Sequence, residues 1–270
     1  MKVSLVFGVG ARRGLGGAIA AKLAAEKYHV VMVGRTKAKL EDTAESIVRD
    51  GGSASCIALE SIGASSEFAV ADTNDELLER EVIAAFDDAQ GRGELDLVVQ
   101  NQGPNMRPPT GTDMRDMTLG FTTYMWQNNF AISFLVGREA ARRLVPPEDA
   151  PPKVPCGTLI FTGATASMRG KPPFVAFAAA KAGVRYLAQS MAREFGPRGL
   201  HVAHVVIDGI VAGERLENVA KAGAWPIDKD TIKARGLDID AVAETFWHLH
   251  TQSPQSWTHE LELRPFSENW

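Results

Sequence analysis

The chain has 270 residues, 45% of them hydrophobic, and a formal net charge of -4; this is ample apolar material for a core and excludes the global basic field that favours nucleic acid or an anionic membrane surface. Its two cysteines, Cys56 and Cys156, fit neither a disulfide framework nor a metal-ligand spacing, so free thiols and no metal site are expected. No run approaches the roughly 20 apolar residues of a membrane span, and the apolar stretch from Val3 is interrupted by Gly8, Gly10, Arg12 and Arg13, unlike a secretory leader, so a cytoplasmic protein is expected.

Short apolar runs alternate with longer helical patterns. Val3 to Phe7 reads as a buried strand and Gly14 to Glu26 as a helix with Ala and Leu on its apolar face. Val30 to Val33 is the next strand, followed by a helix from Lys37 to Arg49 with charged and apolar positions interleaved. A third strand is expected at Phe68 to Ala71, reached by a lengthened path from Ala58 to Glu67, and a third helix at Asp75 to Asp88. Leu95 to Val99 follows as a strand, then one long helix from Thr118 to Leu144 and a Pro-rich surface loop from Pro146 to Pro155. Gly157 to Thr162, His201 to Ile207 and Glu260 to Leu263 complete the strands, with helices at Ala176 to Phe195 and Ile239 to His250. Strand–helix alternation over the full length predicts an α/β fold: one doubly wound Rossmann-type domain over residues 1–270, with a mostly parallel seven-stranded sheet and helices on both faces.

Gly10-Ala11-Arg12-Arg13-Gly14-Leu15-Gly16 follows a strand and opens a helix. Glycines there permit a tight turn and let backbone N–H groups approach a pyrophosphate at the helix N-terminus, where the dipole favours anions. At the end of the second strand, NAD-preferring enzymes place a carboxylate against the ribose 2′-hydroxyl. This chain has Gly34 and then Arg35, with Arg12 and Arg13 in the glycine loop. Guanidinium groups suit a 2′-phosphate, so NADP(H) is preferred over NAD(H); the competing reading is solvated surface arginines.

With these features stands Thr162-Gly163-Ala164 and, further on, Phe177-Ala178-Ala179-Ala180-Lys181. Together they resemble the short-chain dehydrogenase/reductase family over almost the whole chain. The resemblance implies that Gly10, Arg12, Arg13, Gly14, Leu15, Gly16 and Arg35 hold the cofactor, although Val9 stands where the family has Thr. Asp72, with Thr73, matches the family's Asp that meets the adenine amine; a plain helix cap is the alternative. Asn101 and Gly103 match two positions of the family's turn after the fourth strand, flanked here by Gln100 and Gln102. Asn129, with Asn128 a near alternative, matches the Asn that anchors a water relay, and Lys181 the Lys that holds the ribose and assists a neighbouring Tyr. That Tyr position is Phe177, and the family's Ser position is Ala164. Gly209 keeps the Gly of the family's Pro-Gly turn while Asp208 replaces the Pro, and the substrate lid is expected over roughly 210–240. The helices from Thr118 and Ala176 match those through which family members form dimers and tetramers, so a homodimer or homotetramer is implied.

A dehydrogenase scaffold is therefore expected without its usual proton donor. Ser167, Thr162, Thr165, Tyr124, His204 and Asp208 are candidate substitutes, each with a structural alternative such as a turn-forming Asp or a satisfied sheet histidine. Lys181 itself is a further candidate, against ribose binding alone. The expected function is an NADP(H)-dependent oxidoreductase acting on a small carbonyl or alcohol. The alternatives are a non-catalytic dinucleotide-binding sensor or regulatory protein, and reduction of a carbon–carbon double bond on the same scaffold.

Overall fold

The computed structural model describes residues 1–62, 75–103, 113–151, 153–214, 217, 232 and 235–268. Seven strands form one sheet: β1 (Lys2–Phe7), β2 (His29–Gly34), β3 (Ser53–Ala58), β4 (Glu94–Gln100), β5 (Gly157–Thr162), β6 (Leu200–Ile207) and β7 (Glu260–Leu263). Their order is β3-β2-β1-β4-β5-β6-β7 and every neighbouring pair is parallel. Parallel neighbours require crossovers, and helices supply them. These are α1 (Leu15–Ala25), α2 (Lys37–Arg49), α3 (Asp75–Arg92), α4 (Leu119–Trp126), α5 (Ile132–Leu144) and α6 (Val175–Phe195), with α7 (Ile239–His250) before β7.

The alternation of side chains along each strand divides the core into two layers. Leu5 and Phe7 of β1 pack with Val82 and Phe86 of α3, Val136 of α5 and Val184 and Met191 of α6. Val6, between them in sequence, packs in the opposite layer with Ile19 and Leu23 of α1, Leu40 of α2 and Phe246 of α7. Both faces being covered, the central strands are apolar at nearly every position, and that continuous run is what the sequence displays.

β3 corrects the expected third strand. It lies at Ser53-Ala54-Ser55-Cys56-Ile57-Ala58, paired in register with all of β2; Phe68 to Ala71 lies outside the described residues. β3 pairs with a single strand and its residues are mostly half-buried, so Ser and Ala suffice and no apolar run marks it. The long helix expected from Thr118 is interrupted in its hydrogen bonding: α4 and α5 are joined by a π-helical turn at Gln127–Ala131, and Thr118 caps the start by accepting from the Phe121 N–H at 3.2 Å. α3 runs past Asp88 to Arg92, and Arg92 Nε donates to Asp88 at 2.6 Å across that added turn.

The chain order reverses between β1 and β4, which are neighbours. In an open parallel sheet the loops beyond the carboxyl ends of two such strands diverge and leave a crevice. The glycine loop after β1 and the turn after β4 flank it.

Candidate active site

The glycine loop is shaped by close backbone approach. Gly8 has φ +84, and a Cβ there would lie 2.5 Å from the Gln102 N, so the loops after β1 and β4 touch at that point. Asn101 Nδ2 donates to the Gly8 carbonyl at 3.2 Å. A Cβ on Gly16 would come within 2.5 Å of the same carbonyl oxygen, which lets α1 enter directly behind the loop. Over Gly10, by contrast, nothing stands within 4 Å of the Cβ position. Thr43 Oγ1 fastens the loop from below, donating to the Gly10 carbonyl at 2.9 Å. The N-cap of α1 is Gly14, without a side-chain cap, and the first turn holds no acidic residue. A helix N-terminus with no side-chain cap and no acid of its own in the first turn, behind a glycine with open space over it, is suited to cradle a pyrophosphate.

Gly34 has a steric reason of its own: a Cβ there would lie 2.1 Å from the Val9 carbonyl oxygen. The lack of a carboxylate at this position is therefore dictated by packing, and the phosphate signal rests on the arginines. Arg12 and Arg35 are half-buried beside the loop, and Arg13 is exposed with its Nη2 2.6 Å from Glu217 Oε1. Asp72, Thr73 and most of the expected lid lie outside the described residues.

At the other end of the crevice, Lys181 projects from α6 and is buried; its Nζ donates to the Thr162 carbonyl at 2.9 Å. Burial disfavours the ammonium and pushes the Lys181 pKa down to about 8. Phe177, one turn earlier, is buried with Phe121 and Met125 of α4 and with Ala176, and Ala164 and Tyr124 pack against this group. Phe177 and Ala164, expected at the positions where the family carries hydroxyls, thus belong to an apolar cluster, whose α4 half was not evident from sequence. Asn129 is fully buried in the π turn, its Nδ2 donating to the Met125 carbonyl at 2.8 Å, and its Oδ1 lies 3.8 Å from the Cβ position of Gly103. The structure therefore brings Asn129 to the turn after β4. Buried Asn129 Oδ1, Thr162 Oγ1 and Gln102 Oε1 have no hydrogen-bond partner among the described residues, and each is suited to accept from a hydroxyl-bearing ligand.

The other candidate donors are placed less freely. Ser167 is buried, and its Oγ accepts from the Ala164 N–H at 3.1 Å. Thr165 donates to buried Asp208, which also pairs with Arg264 at 2.5 Å and lies 3.6 Å from Arg169. Asp208 is thereby engaged by two cations next to Gly209, whose φ of +144 turns the chain against Pro265. His204 lies under Gly163, with Nδ1 2.9 Å from Glu260, and Glu260 accepts a bidentate pair from Arg185 at 2.7 and 2.8 Å. Burial lowers the His204 pKa to about 4, so the ring is neutral; Nδ1 has Glu260 as its partner, but buried Nε2 has none among the described residues, so the expected satisfied sheet histidine is only half satisfied. Arg185 holds the Glu260 pKa down to about 2.

A family model described as short chain dehydrogenase matches residues 4–222. The chain belongs to the short-chain dehydrogenase family. Among solved structures, a short-chain dehydrogenase from Rhodopseudomonas palustris is 31% identical, with 97% of this chain and 99% of that chain covered at a TM-score of 0.70. Among curated proteins, a short-chain dehydrogenase/reductase of Hericium erinaceus is 29% identical over 212 residues, covering 75% of this chain and 72% of the relative. One of Armillaria gallica is 27% identical over 201 residues, covering 74% and 68%. A short chain dehydrogenase from Burkholderia cenocepacia in complex with NADP shares the fold at a TM-score of 0.72 and 22% identity, covering 97% and 96%. As a short-chain dehydrogenase the protein is of an oxidoreductase class. Among the described residues of this short-chain dehydrogenase, no helix is long and apolar enough to cross a membrane, and no group of three metal-ligating side chains is present.

Proposed function

We propose that this protein is an NADP(H)-dependent oxidoreductase that interconverts a small carbonyl compound and its alcohol, with Lys181 as its principal polar active-site group. The observation that carries this reading is the buried Lys181 ammonium, held at Thr162 beside an apolar wall of Phe177, Ala164, Phe121 and Met125. When bound, the nicotinamide would supply or accept the hydride. Gly10, Gly14, Leu15 and Gly16 would receive the pyrophosphate, Arg12, Arg13 and Arg35 a 2′-phosphate, and Asp72, Thr73, Asn101, Gly103 and Gly209 the remainder of the cofactor. The Lys181 pKa of about 8 leaves Nζ mostly protonated at neutral pH and able to release a proton. Ribose binding and proton supply then fall to the same side chain, with Asn129 positioned by the π turn to carry a relay.

Solved relatives in complex with NADP or NADPH share the fold and are compatible with this cofactor choice. The residues 1–270 would act as one cytoplasmic unit. A homodimer or homotetramer is supported by a groove of about 540 Å³ between α5 and α6, lined by Phe134, Leu187 and Met191, with Phe134 and Tyr186 exposed nearby. A non-catalytic dinucleotide sensor is the second reading, favoured by the apolar surroundings of Phe177 and Ala164.

Calorimetric titration with NADPH and NADH, followed by NADPH consumption across aldehydes, ketones and enones, tests both. Turnover of an aldehyde or ketone supports the first reading; turnover of enones alone would move the chemistry to a carbon–carbon double bond. Tight NADPH binding without turnover of any of them would favour the sensor, and no dinucleotide binding would sink both.

A further inference from the structure

The segment leaving β6 returns to the glycine loop. The Glu214 N–H donates to the Arg13 carbonyl at 2.8 Å, and a Cβ on Gly213 would lie 2.8 Å from the same oxygen, so the backbone is seated directly on Arg13. Two ion pairs join them: Arg13 Nη2 to Glu217 Oε1 at 2.6 Å, and Lys39 Nζ to Glu214 Oε1 at 3.4 Å. The Glu217 side chain is 12% exposed and that of Arg13 66%. The acid is therefore packed in place, and the flexible guanidinium reaches to it. Arg13 is also one of the three arginines on which recognition of a 2′-phosphate rests.

We propose that Glu217, supported by Glu214, is a determinant of cofactor choice: it occupies Arg13, and a 2′-phosphate gains that guanidinium by displacing it. This rests on the NADP(H) reading above. A phosphate monoester carries up to about two negative charges and three strong acceptor oxygens, against one charge on a carboxylate, so the exchange favours phosphate. Each exchange nevertheless breaks an existing ion pair, and affinity for the phosphorylated cofactor is lower than the free cations would give. NAD(H) presents a hydroxyl at that point and leaves the Arg13–Glu217 pair intact. Glu217 thus discriminates against the phosphorylated nucleotide, in opposition to the arginines.

The test is a double-mutant cycle read by dissociation constants for NADPH and NADH in the wild type, Glu217→Gln, Arg13→Ala and the double variant. Glu217→Gln is expected to tighten NADPH binding roughly three- to tenfold at low ionic strength, with NADH changed less than about twofold. The gain should vanish in the Arg13→Ala background. Equal shifts for both nucleotides, or an unchanged NADPH constant, would overturn the proposal and leave Glu217 as a purely structural staple. A wild type that binds NADH as tightly as NADPH would instead overturn the cofactor reading, while the Arg13–Glu217 competition still stands or falls on whether Glu217→Gln shifts NADPH alone.

Discussion

Lys181 and Phe177 lie one turn apart on α6, and the Lys181 ammonium sits 6.0 Å from the centre of the Phe177 ring. At that distance the ring face offers a weak electrostatic attraction, worth on the order of 0.5–1 kcal/mol, but no hydrogen bond. Among the described residues, the Thr162 carbonyl is the acceptor of this buried cation. The resulting depression of the lysine pKa has consequences for stability and for rate.

Replacing Lys181 by Met removes a buried charge. The folded pKa of about 8 lies below the ordinary 10.5, so below pH 8 the native state carries an ammonium that burial disfavours. Between about pH 8 and 10.5 the unfolded chain binds more protons, and native stability rises with pH. Lys181→Met is expected to stabilise the cofactor-free protein at pH 7 by on the order of 1–3 kcal/mol, with the gain shrinking through that window. Urea denaturation at pH 7 and pH 10 checks it; a pH-independent difference would contradict the burial argument.

The rate of carbonyl reduction should be level near neutral pH and fall as Lys181 loses its proton above about pH 8. A profile of kcat against pH with NADPH saturating measures it. A decline beginning only above pH 10 would indicate that Lys181 is not the proton source.

Phe177→Tyr with Ala164→Ser introduces two hydroxyls into the apolar wall. General acid–base catalysis is commonly worth about 10²–10⁴-fold; because Phe121 and Met125 constrain the ring, a gain of roughly 10–100-fold in kcat/KM for carbonyl reduction is expected. Unchanged turnover with unchanged cofactor affinity would mean that the α4 side of the cleft excludes the substrate geometry a phenol requires.

Glu260 joins Arg185 to His204. Its pKa is depressed to about 2 from the ordinary 4.5, so its stabilisation is complete above pH 4.5 and is lost as pH falls toward 2. Glu260→Gln keeps an acceptor for His204 but removes the charge facing Arg185, and should cost on the order of 1–3 kcal/mol at neutral pH. The deficit relative to wild type should shrink below pH 4.5 in acid-unfolding curves.

Gly163 has no room for a methyl group: a Cβ would lie 2.3 Å from His204 Nε2 and 3.1 Å from Ser167 Oγ. Gly163→Ala is expected to destabilise by about 2–4 kcal/mol through overpacking and displaced neighbours. Adding His204→Ala should recover part of that loss, a negative coupling visible in a thermal-unfolding cycle. Strictly additive losses would show that the clash is relieved elsewhere.

The sequence by itself determined the α/β class and the glycine loop opening α1, and it drew Lys181, Phe177 and Ala164 together as one candidate site. These are local signals: buried parallel strands read as apolar runs, and a helix N-terminus behind glycines is a contiguous stretch. β3 escaped because a half-buried edge strand of Ser and Ala has no such run. The π turn around Asn129 escaped because one added residue in a helical hydrogen-bond pattern leaves no mark on hydrophobic periodicity. Gly34 shows the limit from the other side: the Val9 carbonyl oxygen lies 2.1 Å from its Cβ position, so packing alone accounts for a glycine there. Only the tertiary structure decided that Phe121 and Met125 wall off Phe177, that Asp208 is held by arginines, and that Glu217 reaches Arg13. Those contacts join residues distant in sequence, and packing of α4 against α6 and the return of the chain after β6 create them.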